Sequence, residues 1–291
     1  MRVPGPFEIS KVLDLEFVVP DIAGFLRDVS QAAFGRTRTA ADARFVDPES
    51  GRPILSFHSY LVRTPAGNLL VDTCVGNHKE RPFIPEWHRR DGPYLQHLMA
   101  AGVRPEEVDF VCCTHLHADH FGWNTRLEDG MWVPTFPNAR HLFAEQEVAY
   151  WESLHRAEPD NLYRIGWQDS IQPLLDAGLV EQVRSDHEVV PGVRLRPAPG
   201  HTPGNVIIEL DDGRRQAVMS GDVIHHPVQI ERPDWCSQFC LDPLAARDQR
   251  IALLERLAGR DTVLLAAHFA GPTAVQVTDA GGSLFYQDVK A

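Results

Sequence analysis

Apolar residues recur along this chain in two rhythms, and the rhythms predict its elements. Short apolar runs closed by turn residues mark buried strands, while spacing of three and four marks helices. Residues 54–62 and 69–71 are such runs, and the Pro, Gly and Asn between them predict a hairpin. Residues 92–102 predict a helix that feeds a short buried strand over 108–114. In the second half, 193–198, 205–210 and 216–220 predict strands, with Asp211, Asp212 and Gly213 turning the chain between the last two. Residues 242–257 predict an amphipathic helix with Leu244, Ile251, Leu254 and Leu257 on one side, and 262–267 a final strand. The stretch 145–177, which carries Trp151 and Trp167, predicts mostly helix. Near the start, Ile22, Phe25, Leu26 and Val29 predict one helix over 20–35.

No Pro/Gly/Ser-rich linker or low-complexity tract interrupts this pattern. Residues 1–291 therefore read as a single domain whose second half loosely repeats the first. Composition works mainly by exclusion. Hydrophobic residues at 43% and charged residues at 23% argue against extensive disorder. With 28 basic against 40 acidic residues the net charge is −12, so a nucleic-acid partner is not expected. No apolar run is long enough to span a membrane, and the first residues lack the apolar core of a secretory signal. Five cysteines without disulfide-framework spacing fit a reducing compartment, so a cytoplasmic location is expected. Cys112 and Cys113 sit in an apolar run and read as small buried side chains. Cys236 and Cys240 are spaced like half of a metal site, but no second pair completes it, so they read as unpaired thiols.

The chemistry is concentrated just beyond the predicted strands. His115, His117, Asp119 and His120 follow one, His201 a second, Asp222 a third and His268 a fourth. A sheet fixes the backbone and its loops present the side chains, which is what an α/β site needs. Five imidazoles and two carboxylates gathered together call for a cation, because buried like charges without a partner are costly. Two divalent metals would use every group. Nitrogen and oxygen donors without thiolate suit Zn2+, with Mn, Fe or Co matching by ligand type.

In this arrangement the sequence resembles the metallo-β-lactamase superfamily. The resemblance spans about residues 54–270 and rests on THLHADH, the GHTPG loop, SGD and the closing AAH in order. It implies an α/β fold of αβ/βα type, two mixed β-sheets face to face with helices outside. It also implies that His115, His117 and His201 bind a first metal, that Asp119, His120 and His268 bind a second, and that Asp222 bridges both.

Departures within the superfamily narrow the subtype. Zinc β-lactamases commonly carry Cys where this chain has Asp222, and often use a Lys to hold the drug carboxylate. Here the only lysines are Lys11, Lys79 and Lys290. Glyoxalase-II-type thioesterases add a helical C-terminal domain, whereas 23 residues follow His268 (291 − 268). Flavo-diiron proteins carry Glu in place of His117. What remains resembles the N-acyl homoserine lactonase and methyl parathion hydrolase branch. The function implied is a dinuclear-zinc hydrolase of lactones or related neutral esters, acting through a hydroxide held between the metals. A phosphotriesterase and a metal-dependent binding protein without turnover are the alternatives. Asp119 is expected to pass a proton to the leaving group. His225 stands where the lactonases carry a Tyr that donates to the substrate carbonyl, and is expected to take over that donation. His226 reads as a surface or supporting residue. Phe121, Trp123, Trp132 and Phe136 are expected to line an apolar pocket for a neutral small-molecule substrate. Residues 1–53 precede the family core, as packing against it or as a lid or homodimer arm.

Overall fold

The structure, a computed structural model, describes residues 2–3, 7–157, 163–271 and 273–289. Lys290 and part of the predicted helical stretch, 158–162, lie outside the described residues. The chain divides into two compact units.

The first unit comprises Met1–Arg2, Phe7–Leu15 and Phe57–Ser185. A seven-stranded sheet runs in spatial order Arg2–Val3, Glu8–Val18, Ile54–Thr64, Gly67–Val71, Phe110–Cys112, Arg140–Ala144 and Val180–Val183. The predicted hairpin is present, with Thr64 paired to Gly67 so that Pro65 and Ala66 make the turn. Gly67–Val71, Phe110–Cys112, Arg140–Ala144 and Val180–Val183 then pair in parallel. Parallel neighbours need crossover connections, and the predicted helix, observed as Tyr94–Ala100, lies in the first of these. Parallel pairing also brings C-terminal strand ends side by side. Asp72 follows one strand, the histidine-rich segment a second, and the helix Glu145–Ala157 a third.

The apolar core of this unit includes Leu61, Leu70, Val111, Phe143, Trp151 and Leu174. Phe121, Trp123 and Phe136 belong to this core as well, with exposures of 4% or less. Trp123 stacks on Tyr94 with ring centroids 5.1 Å apart. These three aromatics pack the unit's interior instead of lining a pocket, because each finds apolar neighbours there. Trp132 is half-buried under the Lys79 ammonium, 3.6 Å from the ring centroid.

The second unit comprises Val3–Pro6, Glu16–Ser56 and Asp186–Ala291. Its seven-stranded sheet runs Glu188–Val190, Val193–Pro197, Val206–Asp211, Gln216–Met219, Val263–Leu265, Ala274–Asp279 and Leu284–Asp288. The four strands predicted in this half are present with bounds within one or two residues of those expected, while the closing hairpin was not predicted. Gln216–Met219 and Val263–Leu265 pair in parallel, so Asp222 and His268 emerge beyond the same sheet edge.

Two predictions about helices need correction. Residues 20–35 form two four-residue helices, Ile22–Phe25 and Gln31–Phe34, capped by the Asp21 and Ser30 side chains. Between them Leu26 bridges to Ser237 and Asp28 adopts the left-handed region (φ 59°), so the helix cannot continue. The helix Pro243–Leu257 is present, started by Asp242, whose carboxylate accepts from Leu244 N and Ala245 N. Its buried face is Ala246, Arg250, Leu253, Leu254 and Leu257, whereas Leu244 is 67% exposed. Arg250 turns inward because its guanidinium finds the Pro233 and Val223 carbonyls and Cys236 Sγ. Among the described residues no helix is long and apolar enough to cross a membrane. All five cysteines are buried free thiols.

Candidate metal centre

In the first unit the segment after Phe110–Cys112 carries four of the seven candidate ligands. His115, His117 and His120 are buried, and Asp119 is partly exposed. His115 Nε2 lies 3.0 Å from His117 Nδ1, and the His117 ring meets the Trp151 ring edge-on at 5.4 Å. Glu147 Oε1 accepts from Leu116 N at 2.9 Å and from Trp151 Nε1 at 2.6 Å, anchoring the segment from the helix behind it. Asp72 anchors it from the neighbouring strand end. Its carboxylate accepts from Thr114 N (2.7 Å) and Thr114 Oγ1 (3.0 Å), and meets His120 Nδ1 at 2.9 Å. A carboxylate on Nδ1 keeps the proton there and leaves Nε2 with its lone pair outward, the tautomer that a ligand needs. His120 Nε2 stands 3.6 Å from Asp119 Oδ2. Gly122 ends the segment, where a Cβ would fall 1.9 Å from Val75 O.

In the second unit Asp222 is the hub. Its Oδ2 is 3.2 Å from both His201 Nε2 and His225 Nε2, and its Oδ1 is 3.0 Å from His268 Nε2. His268 is fixed from behind, with Nδ1 3.1 Å from Ser56 O and Ser56 N donating to the His268 carbonyl. His201 Nδ1 faces Cys240 Sγ at 3.6 Å. The loop before His201 depends on Gly200, which has φ +135° and no room for a Cβ beside Ala246 N, 2.3 Å away.

The charge distribution favours a cation here. Burial works against a protonated His201, yet Asp222 outweighs it and raises that pKa to about 9. His225 goes the other way: burial pushes it down to about 4, so its ring is neutral at pH 7. Among the described residues the candidate donors form two sets. One is His115, His117, His201 and Asp222; the other is Asp119, His120 and His268. Both are buried or nearly so and consist of imidazole and carboxylate alone. Each set has histidines held at Nδ1 so that Nε2 is presented, which is how metal-ligating histidines are usually supported. The residues present therefore fit a divalent metal.

His226 is not at the surface. It is fully buried, its Nε2 is 2.9 Å from Phe45 O, and the rings of Phe25, Phe34 and Phe45 surround it. Asp72 and Glu147 are supporting residues that the sequence reading missed. Asp72 carries the signal that marked the others, an ionisable residue directly after a strand. Glu147 carries none, because it is recruited only by tertiary packing.

Known proteins point the same way. An N-acyl homoserine lactonase of Bacillus thuringiensis is 28% identical over 172 residues, covering 55% of this chain and 60% of that protein. Another, from a Bacillus species, is 30% identical over 166 residues, covering 52% and 58%. The matches thus span about three-fifths of these relatives' length. Among solved structures, the hydrolase AbOPH of the beta lactamase superfamily superposes with a TM-score of 0.79 at 22% identity, covering 100% of this chain and 99% of that one. AidC, a dizinc quorum-quenching lactonase, gives 0.78 at 21% identity, covering 99% and 96%. At such identities these likenesses show the fold, and it is the αβ/βα fold expected from the motifs. The profile of the metallo-beta-lactamase superfamily matches residues 56–283, a stretch that contains all seven candidate ligands, and the chain belongs to that superfamily.

Proposed function

We propose that this chain is a dinuclear metal-dependent hydrolase of lactones or related neutral esters. One observation carries the reading. The two oxygens of Asp222 face different histidines, His268 at 3.0 Å and His201 at 3.2 Å, and these belong to different donor sets. A carboxylate shared in that way is the ligand that would bridge two ions. His115, His117 and His201 would hold the first ion, and Asp119, His120 and His268 the second. Zn2+ suits the donors, with Mn, Fe or Co as alternatives by ligand type. Bound there, two such ions would activate water and polarise the scissile bond.

The remaining work falls to side chains. Asp119 is the one partly exposed member of the seven, which supports its carboxylate as the group that would pass a proton to the departing oxygen. His225 is buried and neutral, with Nε2 3.2 Å from Asp222 Oδ2. With Asp222 committed to the metals, the single N–H of this neutral ring would be left to donate to a developing oxyanion. Lys11 and Lys79 are both buried, so neither is offered to a substrate carboxylate, which supports neutral substrates. The lactonase relatives support the lactone as substrate class. Phe25, Phe34 and Phe45 are buried in the second unit, which supports packing over a lid or dimer arm for the N-terminal extension.

The test is elemental analysis of the purified protein followed by lactone, aryl-ester, phosphotriester and β-lactam substrates on the same sample. Two metal equivalents and faster turnover of neutral lactones and esters are expected. Full activity with one equivalent rejects the dinuclear centre. Phosphotriester turnover well above lactone turnover selects the phosphotriesterase, and bound metal without any turnover selects a binding protein.

A further inference from the structure

We propose that Cys240 is a positioning residue for His201, holding its imidazole in the tautomer and orientation that presents Nε2 to a metal. The inference rests on the reading of His201 as a ligand. Three other candidate ligands are held at Nδ1 by oxygen. His120 has the Asp72 carboxylate at 2.9 Å, His115 has Thr114 Oγ1 at 3.1 Å, and His268 has Ser56 O at 3.1 Å. At His201 that place is taken by sulfur, Cys240 Sγ at 3.6 Å.

The contact is built into the backbone. Leu241 N donates to His201 O at 3.0 Å and Asp242 N to Gly200 O at 2.9 Å, so the two segments are fastened on the residues next to both partners. Cys240 is 4% exposed, which keeps water from replacing the thiol. Cys236, four residues earlier, has different partners, the Arg250 guanidinium at 3.2 Å and Pro243 O at 3.1 Å. The two thiols that looked alike in the sequence thus have separate roles, and Cys236 serves as an internal control.

For Nε2 of a neutral imidazole to donate to a cation, the ring proton must sit on Nδ1. There the Cys240 sulfur accepts it. Sulfur is a weak acceptor, so its contribution falls at the low end of what such partners supply, about tenfold in metal affinity.

The experiment measures Zn2+ affinity of the full chain by chelator competition, alongside thermal unfolding of the metal-free protein and the visible spectrum of the Co2+-loaded form. Cys240→Ala is expected to weaken one Zn2+ by about tenfold and to shift the Co2+ spectrum, with little change in the metal-free unfolding midpoint. Cys240→Ser should recover part of the affinity, and Cys236→Ala should leave it unchanged. If Cys240→Ala does not fold, Cys240→Val fills the space without an acceptor and puts the same question. Wild-type affinity and spectrum in the variant lacking the acceptor would overturn the proposal, as would an equal loss in Cys236→Ala. His201→Ala separates the two levels. If it loses a Zn2+ while Cys240→Ala does not, only the role of Cys240 fails; if it keeps both at wild-type affinity, the ligand reading fails with it.

Discussion

Nδ1 of His120 and Oδ2 of Asp72 stand 2.9 Å apart, and Asp72 holds this position with its own backbone in the left-handed region (φ 56°). A non-glycine residue there costs on the order of 1–3 kcal/mol, so the surrounding structure must offset it. The Thr114 backbone and hydroxyl, both bonded to the same carboxylate, do so. Asp72→Ala is therefore expected to weaken metal binding by about 10–100-fold, and Asp72→Asn by less. Elemental analysis after dialysis against a mild chelator measures it; two retained equivalents in Asp72→Ala would refute the link.

His225→Ala should lower kcat by about 10²–10³ while two metal equivalents stay bound, and His225→Tyr should keep substantial activity. Steady-state kinetics with metal analysis of the same preparation decides the matter. Wild-type rates in the alanine variant would mean that His225 only packs there.

A buried ionic cluster in the first unit should show asymmetric sensitivity. Asp169 receives Arg81 at 2.7 and 3.0 Å and Lys79 at 3.6 Å, so two buried cations share one carboxylate. Burial pushes the Lys79 ammonium down to about 7, against the pull of Asp169. Asp169→Ala strands the buried Arg81 cation and should cost about 3–5 kcal/mol, whereas Lys79→Met leaves the Arg81 pair intact and should cost much less. Denaturant unfolding compares the two; equal losses would contradict this account.

His141 links stability to pH. Burial lowers its pKa to about 4, from 6.5 for an accessible imidazole. The unfolded chain takes up this proton below about pH 6.5 and the folded chain resists it until about pH 4. The stabilisation is thus complete above pH 6.5 and lost as the pH falls toward 4, amounting to roughly 2 kcal/mol by pH 5. His141→Leu should flatten that part of the stability–pH curve. An unchanged slope between pH 7.5 and 5 would show that other groups set it.

Gly200 and Gly130 both have positive φ but differ in their surroundings. A Cβ on Gly200 would fall within 2.3–2.7 Å of the Ala245 and Ala246 backbone, whereas one on Gly130 would meet nothing within 4 Å. Gly200→Ala should cost about 3 kcal/mol or more and disturb the neighbouring His201, while Gly130→Ala should cost about 1 kcal/mol. Thermal unfolding of both variants tests the contrast, and similar midpoints would refute it.

By itself the sequence determined the strands that carry the site and the ligand types at their ends. Apolar runs such as 108–114 can be read locally, and a strand's end is where the chain must leave the sheet. The spacing of His115, His117, Asp119 and His120 likewise announces metal chemistry without any partner in view. Tertiary structure alone decided what stands behind those ligands. Asp72 lies 48 residues from His120, Ser56 lies 212 from His268, and Cys240 lies 39 from His201. No local pattern encodes such pairs, because they arise only when separate strands and loops come together. The same reason explains the corrections. Arg250 turned the buried face of its helix because distant carbonyls accept its guanidinium, and residues 20–35 broke into two short helices at the Leu26–Ser237 bridge. Phe121, Trp123 and Phe136 went into the core, since apolarity states that a side chain will be buried but not what it will be buried against.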